Sequence, residues 1–380
     1  MIQISNKNQC SGCTACYTAC PKRAITLVPD SLGFKYPVIN NILCVDCKVC
    51  EKVCPFYQEK KDGAPLRVYA AKNYCIQDLE SSRSGGVFPA LYKTIIAEGG
   101  SVYGALFDDS LNVVHQSADN EESCKGFRGS KYVQSELGNV FQSVVSDLKQ
   151  GLKVLFSGTP CQVAGLKKVV PPHFSGDLYT VDIICHGTPS PKLYKDYLAY
   201  LERIYSSRVV AFNFRDKSVN GWHDHKESAI LENGNKIVKN LYTSLFYTNC
   251  FFRESCYVCP YASTYRVSDL TLGDLWGWEK IDKDLNRDDK GISLVLINSE
   301  KGNDLFELAK DDLKVKEVVM ENCLQPNLIR PTKESAYRKE LIDYYNKNGF
   351  DRLARYVTNP SLLQRIVRKI KRYLIYGKEN

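Results

Sequence analysis

The sequence predicts a mixed α/β protein, with a partly parallel sheet and flanking helices, preceded by a small α+β module built around metal clusters. Three observations predict it. Cysteines stand at 10, 13, 16 and 20 before Pro21, and again at 44, 47, 50 and 54 before Pro55. Two later stretches, KVLFSGTPCQVAGLKK (153–168) and LYTVDIICHGTPSPKLYKDYL (178–198), each run apolar strand, turn, helix, the pattern of parallel strands joined by helices. Hydrophobic residues make up 44% and charged residues 25% of the 380, a balance typical of soluble domains in a chain long enough for two or more of them.

Each cysteine run reads C-x2-C-x2-C-x3-C-P, the two-cluster ferredoxin pattern. A 4Fe-4S cube has four iron corners, and each needs a thiolate. Two-residue gaps let one tight loop reach three corners, and the fourth cysteine of each run reaches the other cube. Cys10, Cys13, Cys16 and Cys54 are therefore assigned to one cluster, and Cys44, Cys47, Cys50 and Cys20 to the other. Gly12, Ala15 and Ala19 are small enough to let backbone N–H groups approach the sulfurs. Zinc takes four ligands from paired C-x2-C units, so two copies of one ferredoxin run argue against it. The opening MIQISNKNQC has no apolar h-region, which predicts reduced thiols in a cytoplasmic protein. Two short strands are expected around the Asp30-Ser31-Leu32-Gly33 turn. Polar residues with Gly63 and Pro65 mark a boundary at 59–65, giving domains 1–62 and 63–358.

The larger body opens with a strand at RVYAAKNY (67–74). Val87, Leu91, Ile95 and Ile96 then recur at helical spacing, with Ser84, Gly85 and Gly86 at the helix start. N–H groups at such a start bind phosphate, although a capped surface helix accounts for the same residues. A hairpin follows (101–118), and FRGSKYVQS (127–135) sets Arg128 and Lys131 beside small residues in a way that suits an anion. Cys161 and Cys185 fall in the two strand-to-helix turns, at strand carboxyl ends where open sheets bind ligands. A helix start is expected to lower their thiol pKa. An antiparallel section spans 209–242. Cys256-x2-Cys259 is half of a metal site, for which Cys161 and Cys185 are the missing pair and Cys250 the runner-up. A buried strand in 291–302, a helix, another strand near 314–320 and helical residues 332–357 complete the body.

The tail, 359–380, pairs an apolar stripe (Leu362, Leu363, Ile366, Val367, Ile370, Tyr373, Leu374) with five basic residues. A basic amphipathic helix lies on a membrane surface or a partner, and a docked terminal helix shows the same stripe. The formal net charge is +8. Its basic residues are dispersed rather than interleaved with aromatics, which excludes nucleic acid. No run of 18 apolar residues occurs, so no membrane-spanning helix is expected.

SRSGGVF (82–88), GSKYVQS (129–135), SGTPCQVAGL (157–166), DIICHGTPSP (182–191), RESCYVCPYA (253–262) and SDLTLGDLWG (268–277) occur in that order. With them the chain resembles the coenzyme F420 hydrogenase/dehydrogenase beta-subunit family, in the bacterial form with a fused two-cluster ferredoxin. The resemblance covers roughly residues 5–355. It implies an FAD, a third 4Fe-4S cluster on Cys161, Cys185, Cys256 and Cys259, and two-electron chemistry on a diffusible carrier. Ser84, Gly85, Gly86, Arg128, Ser130, Lys131 and Tyr132 are then the flavin candidates. Clusters pass single electrons and a flavin can release a hydride. The expected function is therefore an iron–sulfur flavoprotein oxidoreductase between a one-electron donor and a hydride acceptor, deazaflavin-like or from a polysaccharide pathway. Two rivals are a non-catalytic electron-transfer subunit of a partner enzyme and a ferredoxin-linked disulfide reductase using Cys161 or Cys185.

Overall fold

A computed structural model describes residues 2, 4, 6–57 and 63–358. The 13 strands in these residues form three sheets. β1 (Ile25–Pro29) and β2 (Lys35–Ile39) make the N-terminal hairpin, paired from Ile25 with Ile39 to Pro29 with Lys35. The main sheet has eight strands. In chain order these are β3 (Arg67–Asn73), β4 (Ser101–Phe107), β5 (Val113–Ala118), β6 (Val154–Gly158), β7 (Leu178–Ile183), β11 (Leu270–Asp274), β12 (Ser293–Ile297) and β13 (Leu313–Glu317). In space they lie in the order β13-β3-β12-β11-β7-β6-β4-β5. β4, β6, β7 and β11 run parallel, while β5, β12, β3 and β13 join antiparallel at the two sides. A separate sheet, in the order β10-β9-β8, combines β8 (Val209–Asn213), β9 (Glu227–Leu231) and β10 (Lys236–Lys239).

The mixed α/β class read from the sequence is the one observed. Val154, Leu155 and Phe156 in β6 and Leu294 to Ile297 in β12 are all fully buried. Continuous apolar runs of this kind belong to strands covered on both faces. Among the covering helices are α1 (Val87–Ala97), α2 (Val140–Lys149), α3 (Pro160–Val169), α4 (Pro191–Tyr205) and α5 (Glu300–Ala309). The last helical stretch, α6 (Arg338–Thr358), breaks at Gly349, whose φ is 75°.

The N-terminal module shares its core with the body. Leu32, Phe34 and Tyr36 pack in one cluster with Leu193, Tyr194, Tyr197 and Phe214. Ser190 Oγ, which caps α4, also donates to the Leu32 carbonyl at 2.6 Å. Cys13 and Ala15 pack with Phe141, Val163 and Leu166. The 59–65 boundary therefore separates two stretches of sequence that pack together in two hydrophobic clusters. The basic tail lies outside the described residues. Among those residues no helix is long and apolar enough to cross a membrane.

Candidate functional site: three cysteine quartets and a cavity

Cys10, Cys13, Cys16 and Cys54 line one small cavity of the N-terminal module, and Cys20, Cys44, Cys47 and Cys50 line another. The fourth cysteine of each run thus stands with the other run's triplet. Gly12, Thr14, Asp46 and Lys48 all adopt positive φ, which coils the two loops tightly enough to turn N–H groups inward. The Ile2 N–H donates to Cys50 Sγ and the Ala24 N–H to Cys20 Sγ, both at 3.3 Å. Burial pushes the Cys13 thiol up to about 12 and raises Cys16 further. Such thiols become thiolates only when a metal replaces the proton. Cys47 is exposed, so the second quartet faces outward.

A third quartet forms in the body. Cys161 sits in the first turn of α3, behind a Thr159 cap whose N–H donates to Gln162 Oε1 at 2.9 Å. Cys185 follows β7, the parallel neighbour of β6. Cys256 lies in the turn at Glu254–Val258 and Cys259 caps its end, on the segment that leads to β11, the strand that pairs with β7 on its other side. β6 and β7 thus deliver Cys161 and Cys185, and the segment around Arg253, whose N–H donates to the Thr188 carbonyl at 3.1 Å, brings Cys256 and Cys259 to them. Cys185 lies in the field of Cys256, Cys161 and Cys259. Thr188 donates its N–H to Cys256 Sγ at 3.4 Å, and the Thr159 hydroxyl meets Cys161 Sγ at 3.2 Å. The expected lowering of these pKa values by a helix start is overturned by burial. Cys161 and Cys259 are pushed up to about 12 and Cys185 is raised strongly.

Cys250 turns elsewhere. It is buried, with its thiol on the Thr248 carbonyl at 3.4 Å and Ser335 and Arg338 for neighbours. Cys124 and Cys323 are buried inside apolar clusters. No three His, Cys, Asp or Glu side chains among the described residues close on a single-ion position.

The three quartets are stacked in sequence. Cys16, Cys20, Cys50 and Cys54 share one apolar cluster between the two N-terminal quartets. Helix α3, which bears Cys161, rests on the Cys13 loop at Gly165. A Cβ there would fall 2.8 Å from Cys13 Cβ. Tyr261 lies in the field of Cys161, Cys259, Cys13 and Cys54 together. Cys185 and Thr188 in turn lie on the wall of a cavity of about 300 Å³.

That cavity opens where β6, β7 and β11 end, and it lies at the lower edge of small-molecule site volumes. Ser84, Gly86, Arg128, Ser130, Lys131 and Tyr132 line it, and Gly85 does not. Gly85 instead presses on the sheet. Its N–H donates to Ser293 Oγ at 2.9 Å, and a Cβ would fall 2.2 Å from the Ala71 carbonyl oxygen. Gly86 has φ of 74° and a would-be Cβ 3.0 Å from Asn73 Cβ, so a side chain there is strained with or without a ligand. Arg128 is committed to the protein, with Asp78 at 2.7 Å and hydrogen bonds to Tyr92 and Ser81. Lys131 is the freer charge. Its ammonium donates to the Gly126 and Arg128 carbonyls at 2.8 and 2.7 Å and has no carboxylate partner among the described residues. Burial lowers its pKa to about 7.

Sequence reasoning missed two lining residues. Arg83 is 8% exposed, gives Nη2 to the Trp222 carbonyl at 2.5 Å and leaves Nε and Nη1 without acceptors. It stands inside SRSGGVF, where its charge was the available signal. His115 bonds the Ser157 carbonyl through Nε2 at 3.0 Å and leaves Nδ1 unpartnered. Burial lowers it to about 4, so it is neutral. A lone histidine on a strand gave no signal. The orphaned Arg83 donors, Lys131 and the start of α1, which has no side-chain cap, fit a dianionic linkage such as a diphosphate. Phe127, Val181, Ile183 and Leu272 give the same cavity an apolar wall suited to a planar ring.

Residues 151–321 match the family profile for the C terminus of the coenzyme F420 hydrogenase/dehydrogenase beta subunit. Residues 9–57 match that of the 4Fe-4S dicluster domain. The chain thus carries a 4Fe-4S dicluster domain followed by a domain similar to the C terminus of the coenzyme F420 hydrogenase/dehydrogenase beta subunit. This beta-subunit relative is 21% identical over 345 residues to an uncharacterized protein of Methanocaldococcus jannaschii, covering 81% of this chain and 88% of that one. It is also similar, at 18% identity and a TM-score of 0.47, to a chain in a solved structure of the F420-reducing NiFe hydrogenase complex from Methanosarcina barkeri. That match covers 79% of this chain and 94% of the other. The dicluster match supports iron–sulfur clusters, and the beta-subunit match points to a role of oxidoreductase type.

Proposed function

We propose that this beta-subunit relative is an iron–sulfur flavoprotein that carries electrons between a one-electron donor and a hydride acceptor. Its ferredoxin module (1–62) would hold two 4Fe-4S clusters on the N-terminal quartets. Its body (63–358) would hold a third on Cys161, Cys185, Cys256 and Cys259, and FAD in the main cavity. One observation supports this most directly: Cys185 of the third quartet shares a cavity wall with Lys131 and Arg83. A one-electron relay thus ends beside a site suited to an anionic organic cofactor. FAD, when bound, would exchange single electrons on the cluster side and a hydride on the substrate side. Lys131 and Arg83 would bind its diphosphate, the apolar wall would exclude water from its ring, and His115 Nδ1 would accept a hydrogen bond. The outward quartet at Cys47 would receive the partner that gives or takes single electrons. The third quartet's thiols have raised pKa values, the opposite of what an attacking thiolate needs, which disfavours the disulfide-reductase reading.

The test is anaerobic purification of the full chain with iron, sulfide and flavin quantified. The reading expects three cubanes, about twelve irons, and one FAD. Cys185→Ser should lose about four irons and Cys250→Ser none. Iron from only two clusters and no flavin would instead leave an electron-transfer subunit without its own hydride chemistry.

A further inference from the structure

Arg253 is 1% exposed, and among the described residues no carboxylate lies within ion-pair reach of it. Its guanidinium contacts are nearly all neutral. Nε donates to the Cys10 carbonyl at 2.6 Å, Nη2 to the Lys35 carbonyl at 2.9 Å, and Nη1 to Gln134 Oε1 at 3.1 Å. Nη2 also reaches Cys10 Sγ at 3.3 Å, a contact that gains a countercharge once that sulfur is a cluster thiolate. The group lies over the Tyr36 ring at 4.1 Å from its centroid. Gly12 makes room for it, because a Cβ there would meet Nη1 at 2.8 Å. A buried cation without a countercharge is strongly unfavourable. The anion that fits this position is a thiolate-ligated cluster on the Cys10 quartet.

The backbone of the same residue belongs to the third quartet. Its N–H donates to the Thr188 carbonyl at 3.1 Å, and its carbonyl accepts from the Cys256 N–H at 2.9 Å. Arg253 therefore stands between two quartets, with its charge directed at one of them.

We propose that Arg253 sets the reduction potential of the cluster held by Cys10, Cys13, Cys16 and Cys54, raising it through a fixed buried charge and an N–H···S bond. The proposal rests on the reading of that quartet as a 4Fe-4S site. In the step concerned, one electron enters from an external reductant and the cluster becomes one unit more negative. No bond forms or breaks and no proton moves. A nearby cation stabilises the more negative form more strongly, and hydrogen bonds to cluster sulfurs act in the same direction.

The test uses the full chain, loaded with iron anaerobically, as parent, Arg253→Lys and Arg253→Met. Potentials are read by paramagnetic resonance during titration with dithionite. Arg253→Met should cut the reduction equilibrium constant of one cluster at least tenfold, a fall of about 59 mV for a one-electron couple. Arg253→Lys, which keeps the charge but not the fork, should cut it about threefold. The affected signal should be the one that Cys54→Ala alters. Unchanged equilibria in both variants, or a shift confined to another cluster, would overturn the proposal. If Arg253→Met fails to retain the cluster, Arg253→Lys decides. A lowered equilibrium supports the proposal, and an unchanged one reduces Arg253 to a loop clamp. Iron and sulfide per chain of the parent, measured in the same preparation, separate a failure here from a failure of the cluster assignment.

Discussion

Gly165 sits in the interior of α3, where the helix bearing Cys161 crosses the loop bearing Cys13. A Cβ at this position would lie 2.8 Å from Cys13 Cβ and 2.9 Å from Cys13 Sγ, well inside the ~3.5–4.0 Å of a good carbon contact. Two effects oppose each other in Gly165→Ala. Exchanging a helical glycine for alanine stabilises by about 0.8–1.0 kcal/mol. Overpacking a tight contact costs about 1–3 kcal/mol. Cys13 cannot step aside, because it is buried between Gly12 and Thr14, both at positive φ, and a cluster would pin its sulfur further. The contact term therefore wins, for a net loss of about 0–2 kcal/mol, concentrated on the Cys10 quartet. The assay is iron per chain and the resonance spectrum of the reduced protein, with the half-life of the loaded protein at raised temperature. A rate is the right measure where loss of clusters is irreversible. Full iron content with a longer half-life than the parent would refute the reasoning. It would mean that α3 does not touch the Cys13 loop and that the first and third quartets are not in contact.

Three further outcomes are expected. Cys54→Ala should damage the cluster of Cys10, Cys13 and Cys16, and Cys20→Ala that of Cys44, Cys47 and Cys50. Resonance spectra in which each variant perturbs its own run would reverse the pairing. Lys131 titrates at about 7 when folded, below its ordinary 10.5. Between those pH values the unfolded chain holds a proton that the folded chain lacks, so this group makes the flavin-free protein more stable as pH rises through that window. A bound diphosphate would raise the Lys131 pKa, so FAD binding at pH 8 should take up a proton. Calorimetry in two buffers of different ionisation enthalpy reads this uptake. It should vanish in Lys131→Met, and uptake that persists there would remove Lys131 from the flavin site. Deleting residues 359–380 should abolish salt-sensitive binding to anionic liposomes, since basic residues there contribute about 1 kcal/mol each. Equal binding with and without them would exclude the tail as a membrane contact.

The sequence by itself determined what depends on neighbours a few positions away. The spacing of Cys10 to Cys54 set two quartets and their exchange of fourth cysteines, because a loop of fixed gaps can reach only so many corners of a cube. The apolar runs at 154–156 and 294–297 declared buried strands, and the turns after β6 and β7 put Cys161 and Cys185 at one end of a parallel pair. Tertiary structure decided everything that rests on distant partners. It placed β3 between β12 and β13, an order that pairing alone selects. It turned Gly85 from a candidate phosphate cradle into a close contact with the sheet, and it tied Arg128 to Asp78. It also took Cys161 and Cys185 out of water, so that desolvation outweighed the helix start. Arg253 reaches Cys10 across 243 positions of chain. No local pattern encodes that contact, because a buried charge acquires its role only from whatever the folded chain sets beside it.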